Sequence, residues 1–145
     1  MTRFKMSLLG LALFALGLAL VSTSARAQTN AENRAFFDSC GGCHTIGDVA
    51  RSRSVGPTLT NVFGARAASQ RDFDYSPALE EAGEDGLVWT REVLDAFIAD
   101  PRGYLRGNRM AYAGLRDPDM RRMVINYLRN VARSGGDPEL RSETR

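Results

Sequence analysis

The run Cys40-Gly41-Gly42-Cys43-His44 constrains this chain more than any other stretch of it. Two thiols three positions apart, followed at once by an imidazole, have the spacing through which haem c is attached to protein. The thiols can bond to the two vinyl groups on one edge of the porphyrin. The adjacent histidine is then held beneath the iron as an axial ligand. Gly41 and Gly42 carry no side chain to keep the backbone off the ring. His44 is the only histidine and Cys40 and Cys43 are the only cysteines, so this run uses the whole supply of both. Other chemistries use part of the same pattern. A thiol–disulfide redox couple usually sits in an alternating strand and helix pattern, which is missing here. A closed zinc site takes four ligands, and the chain offers three of sulfur or imidazole type. A short structural disulfide is the third alternative. The full run, thiols and histidine together, favours one covalently bound haem c.

The N-terminal residues 1–27 have the layout of a cleaved secretory signal. Arg3 and Lys5 make a positive start, Leu8 to Val21 is apolar, and Ala25-Arg26-Ala27 offers small residues for cleavage before Gln28. The apolar run is shorter than the ~20 residues that span a bilayer comfortably. An uncleaved anchor is the alternative. Cleavage would leave a single haem domain, 28–134, with a polar tail, 135–145. The full chain has 19 basic and 17 acidic side chains. Three of the basic ones (Arg3, Lys5, Arg26) and none of the acidic ones leave with the signal, so the remainder is close to neutral. That balance gives no support to nucleic-acid binding. Every cation after Lys5 is an arginine.

The rest reads as helices joined by long loops, an all-α pattern with four to five helices and no strand alternation. Asn30 caps a first helix through Ala31, Ala35, Phe36 and Phe37 into Cys40. An irregular stretch follows from Thr45 to Asp74, long enough to need a haem to wrap. A short helix is expected over Pro77 to Ala82. Thr90 caps the next, with Val93, Leu94, Phe97 and Ile98 inward, and Asp100-Pro101 stops it. Arg102 to Asp117 reads as a loop. Asp117 then caps the last helix, with Pro118 in its first turn and Met120, Met123, Val124, Tyr127, Leu128 and Val131 on one face. A low-spin carrier needs a sixth iron ligand, for which methionine is the usual partner of histidine. Met110, Met120 and Met123 are the candidates; the last two fit core packing, whereas Met110 lies in a loop.

In the order and content of its motifs the chain resembles the class I c-type cytochromes, bacterial relatives of mitochondrial cytochrome c, from about Ala31 to Ala132. The resemblance rests on the haem run, Gly56-Pro57-x-Leu59, Asn61-Val62-Phe63-Gly64, Phe73-Asp74-Tyr75-Ser76 and Trp89. It continues through Asp100-Pro101, Tyr104, the Gly107–Gly114 loop and Tyr127-Leu128. It implies helices wrapped with long loops around the haem, Met110 as sixth ligand to the iron opposite His44, and haem attachment outside the cytoplasm. It also implies that the Pro57 carbonyl accepts a proton from the ring of His44, that Tyr75 and Trp89 donate to a haem propionate, and that Phe36 or Phe37 packs on Tyr127 and Leu128. Three positions depart from the pattern. Phe97 stands where many relatives have a tyrosine bonding near the methionine sulfur. Asn33 lies near a common helix-contact glycine, and Arg66 is one place later than a common propionate-binding arginine.

The function implied is that of a monomeric periplasmic electron carrier, with no enzymatic step and membrane contact only through partner complexes. A gas-binding or peroxidatic haem protein, or an electron-transfer subunit of a larger redox complex, are the alternatives. Arg51, Arg53, Arg102, Arg106 and Arg109 would flank the haem edge. Glu80, Glu81, Glu84 and Asp85 would lie well away from it, favouring acidic docking surfaces on redox partners.

Overall fold

The computed structural model describes residues 31–47 and 55–135. The expected signal over 1–27, Asn30 as a cap, Arg51, Arg53 and the tail after Gly135 lie outside the described residues. Apart from Ala31, the described residues fall in one unit that begins at Glu32. Five helices follow in order: α1 (31–39), α2 (Pro77–Glu84), α3 (Arg91–Ala99), α4 (Pro101–Tyr104) and α5 (Pro118–Ser134). The only strand-like pairing among the described residues is an isolated antiparallel bridge between Arg66 and Val88.

The starts of α2 to α5 follow from the sequence. Ser76, Thr90, Asp100 and Asp117 all accept a backbone N–H of the first turn on their side-chain oxygen, and Pro77, Pro101 and Pro118 occupy positions where no donor is lost. Two boundaries differ from expectation. α2 runs two residues further, through Gly83, because that glycine is packed against the Ala67 carbonyl oxygen where a Cβ would otherwise stand. α4 was not expected. Asp100-Pro101 does end α3, yet it also supplies a cap and a first-turn proline, which start a new turn of helix at once. α5 ends at Gly135, whose φ of 66° is the left-handed cap that glycine adopts without cost.

The core joins α1, α3 and α5. Phe36 is fully buried and lies 4.8 Å from the Tyr127 ring, with Leu94, Phe97, Ile98, Val124, Ile125, Leu128 and Val131 around it. Phe37 also meets Tyr127, at 6.2 Å, but stays half-exposed. A polar strap crosses the same helices. Asn126 and Asn130 of α5 donate to the buried Glu32 carboxylate of α1, and Arg91 of α3 donates to the Asn126 oxygen at 2.7 Å. Among the described residues no helix is long and apolar enough to cross a membrane.

Candidate haem-binding site

The thiols and the histidine are presented by the frayed end of α1. Helical bonding continues for one turn past residue 39, with Cys40 N–H to Phe36 O at 2.7 Å and Gly41 N–H to Phe37 O at 3.2 Å. The chain then folds back on itself, and the N–H groups of Cys43 and His44 both bond to Cys40 O, at 3.1 and 3.0 Å. The turn itself leaves no room for a side chain at Gly41, since a Cβ there would lie 2.9 Å from Phe37 O. Gly42 faces open space. Both thiols are free rather than joined to each other. Burial, helped by the neighbouring Cys43, pushes the Cys40 thiol up to about 11.

The histidine is fixed by the Gly56–Thr60 segment. His44 Nδ1 lies 2.8 Å from Pro57 O. A carbonyl can only accept, so Nδ1 carries the proton and Nε2 keeps the lone pair with which imidazole binds a metal. Burial lowers the imidazole pKa, opposed by the Pro57 bond, and so favours the neutral, ligating form. Hydrogen bonds hold Pro57 in place on either side: Gly56 N–H to Cys43 O at 2.9 Å and Leu59 N–H to Thr45 O at 2.9 Å. The Thr58 hydroxyl bonds Thr45 O and meets Thr60 Oγ1, which accepts Gly47 N–H, while the Gln70 amide holds Thr58 O. Gly56 is a site residue that sequence reasoning listed only as part of a motif. The His44 ring lies against its α-carbon, and a Cβ would stand 2.6 Å from Nδ1 and 3.0 Å from Nε2.

Met110 is half-buried and packs against the core from its loop; Met120 and Met123 do so from α5. In the same loop, burial pushes the Tyr112 phenol up, and Cys40 adds to the shift. Asn108 anchors the loop to α4, donating to Pro101 O at 2.7 Å and Leu105 O at 2.6 Å and accepting Met110 N–H at 3.0 Å. Arg109 bonds the carbonyls of Asp74 and Tyr75 and the Asp74 carboxylate, with more than half of its side chain still exposed. Tyr75 is buried, which pushes its phenol up, and stacks edge-on with Phe73. Trp89 is buried beside Phe97, at 5.0 Å, and its backbone pairs with Ala65 and Gly64. Phe97 fills the space between Trp89 and Tyr104 with apolar contact.

The donor set fits a haem. A turn offers two unpaired thiols beside an imidazole with its lone pair at Nε2, and the half-buried thioether of Met110 packs, like Cys40, against the core. The zinc alternative finds no counterpart, since no three His, Cys, Asp or Glu among the described residues are grouped to hold a metal ion.

No model of a known protein family matches the chain. Individual proteins do. Cytochrome c2 of Afifella marina is 38% identical over 115 residues, which cover 79% of this chain and 92% of that protein. Cytochrome c2 of Agrobacterium tumefaciens is 40% identical over 98 residues, covering 68% and 87%. This chain is a class I c-type cytochrome. The solved structure of cytochrome c2 from Rhodospirillum centenum agrees, with a TM-score of 0.65 and 30% identity over 72% of this chain and 98% of that one. Cytochrome cH from Methylobacterium extorquens superposes with a TM-score of 0.60 at 32% identity, covering 70% and 97%. As a member of this family the cytochrome carries one covalently attached haem c and serves as an electron carrier.

Proposed function

We propose that His44 and Met110 are the two axial ligands of the haem iron, that Cys40 and Cys43 carry its thioether links, and that the protein works as a soluble, monomeric carrier in the periplasm. The observation that supports this reading is the 2.8 Å bond from His44 Nδ1 to Pro57 O, which leaves the Nε2 lone pair available to a metal. Bound haem supplies the one-electron ferric–ferrous couple. The chain's residues bind it and tune it. The Pro57 carbonyl makes the imidazole more basic and fixes its orientation. A thioether from Met110 raises the potential, and Tyr75 and Trp89 serve as buried donors to a propionate. With both axial positions filled, no substrate bond is made or broken. This is the physical basis for a carrier rather than an enzyme.

Residues 1–27 are proposed to be a cleaved export signal, 28–134 the haem domain and 135–145 a polar tail. Exposed Arg102 and Arg106, with Arg51 and Arg53 by sequence, would face acidic partner surfaces. The test is a visible spectrum of the holoprotein exported from a host that attaches haem. A weak far-red ferric charge-transfer band is expected in the parent and absent from Met110→Leu. The same band in Met110→Leu would remove Met110 as ligand. A parent lacking the band would point to an open, ligand-binding haem, and failure to attach haem at all would sink the site.

A further inference from the structure

The segment from Leu105 to Asp117 that carries Met110 is in neither helix nor strand, so a few side chains determine where it lies. Asn108 ties it to α4, and Leu115 N–H ties its far end to Ile98 O at 2.8 Å. One side chain joins it to the chain some 35 residues earlier. Arg109 Nη2 donates to Asp74 O at 2.7 Å and to Tyr75 O, and its Nη1 lies 3.2 Å from the Asp74 carboxylate. A planar guanidinium can span two successive carbonyls and a carboxylate; an ammonium is a point donor and cannot reproduce the fork. Two of these acceptors are backbone atoms, so the link depends on Arg109 far more than on the identity of the residue at position 74. The ion pair itself is solvent-exposed, with Asp74 90% accessible, and contributes little.

We propose that Arg109 is a positioning residue for Met110: by clamping the methionine loop to the Asp74 and Tyr75 carbonyls it resists release of the thioether from the iron. This rests on Met110 being the sixth ligand. The clamp is made while the loop is seated and is lost when the loop swings away, so removing it makes departure of the methionine easier. A charge-assisted hydrogen bond of this kind is worth about a factor of ten or more in such an equilibrium.

The experiment is an imidazole titration of the ferric holoprotein, in which added imidazole competes with Met110 for the iron. Arg109→Gln is expected to tighten apparent imidazole binding about tenfold. Arg109→Lys should fall between it and the parent, and Asp74→Asn should stay within about twofold of the parent because both carbonyls remain. Asn126→Ala, in the remote α1–α5 strap, is the control: it should lower thermal stability and leave imidazole binding unchanged. If Arg109→Gln does not assemble, Arg109→Lys carries the test with a severalfold tightening. Parent-like binding in the Arg109 variants overturns the proposal, and so does tightening of equal size in Asn126→Ala, which would reduce the effect to general destabilisation. Met110→Leu separates the two readings. If it binds imidazole no more tightly than the parent, the axial assignment itself fails, whatever Arg109 does.

Discussion

Gly56 shows how much of the site turns on the absence of one carbon. Its α-carbon faces the His44 ring, and the adjacent Pro57 carbonyl takes the ring proton, so the dipeptide both makes room for the imidazole and fixes its tautomer. In Gly56→Ala the new methyl would press on Nδ1, and either the ring or the Pro57 segment must retreat. Overpacking of this kind costs about 1–3 kcal/mol. The weakened Nδ1–H bond would also make the imidazole a poorer electron donor to ferric iron, and the midpoint potential is expected to rise. Guanidinium denaturation and a redox titration of the two holoproteins check both effects; an unchanged potential would mean that the Pro57 bond survives. Much at this scale was legible beforehand, since the haem run stands in the sequence and the Pro57 bond followed from the family resemblance. The steric role of Gly56 was not, although a glycine directly before that proline was the available signal. The bonds that Arg109 makes were not legible, because nothing local to residue 109 announces carbonyl acceptors at 74 and 75.

Helix caps and apolar stripes gave the starts of α3 and α5, because each depends on residues within a few positions of one another. α4 was missed for the complementary reason: a proline that stops one helix is also a favourable first residue of the next. The polar contacts between helices were invisible in the same way. Asn126 and Asn130 sit four apart on α5, and both reach the buried carboxylate of Glu32, some 95 residues earlier. Asn126 is the centre of that strap, donating to Glu32 and accepting from Arg91. Replacing it with alanine strands a buried carboxylate oxygen and is expected to cost about 1–3 kcal/mol of stability. The reduced spectrum and the potential should stay as they are, because the strap binds α1, α3 and α5 to one another without touching the residues around His44. Thermal unfolding monitored by circular dichroism, alongside the redox titration, tests this; a shifted potential would show that helix docking is coupled to the haem.

For the whole molecule, the distribution of charge matters more than its near-zero sum. The sequence suggests arginines on one side and the Glu80–Asp85 cluster far away, but the start of α2 abuts the methionine loop, where a Cβ on Gly107 would lie 3.3 Å from that of Ala78. Arg109 is also occupied by Asp74. The Asp74 carboxylate offsets part of the positive charge of the methionine loop, which was not readable without knowing which loops touch. Arg102 and Arg106 are exposed, and the surface has an unusual chemical property: after Lys5 every cation is an arginine, so its positive charge does not titrate in the range where lysines lose theirs. Electron transfer to an acidic redox partner should therefore slow as ionic strength rises, with a shallow slope in keeping with few free cations. That slope should be nearly the same at pH 7 and at about pH 9.5, below the ordinary range for tyrosine. Stopped-flow rates across a salt series at the two pH values test the idea. A rate indifferent to salt would show that docking is apolar, whereas a slope that collapses at the higher pH would place the steering charge on a titrating group other than the guanidinium side chains.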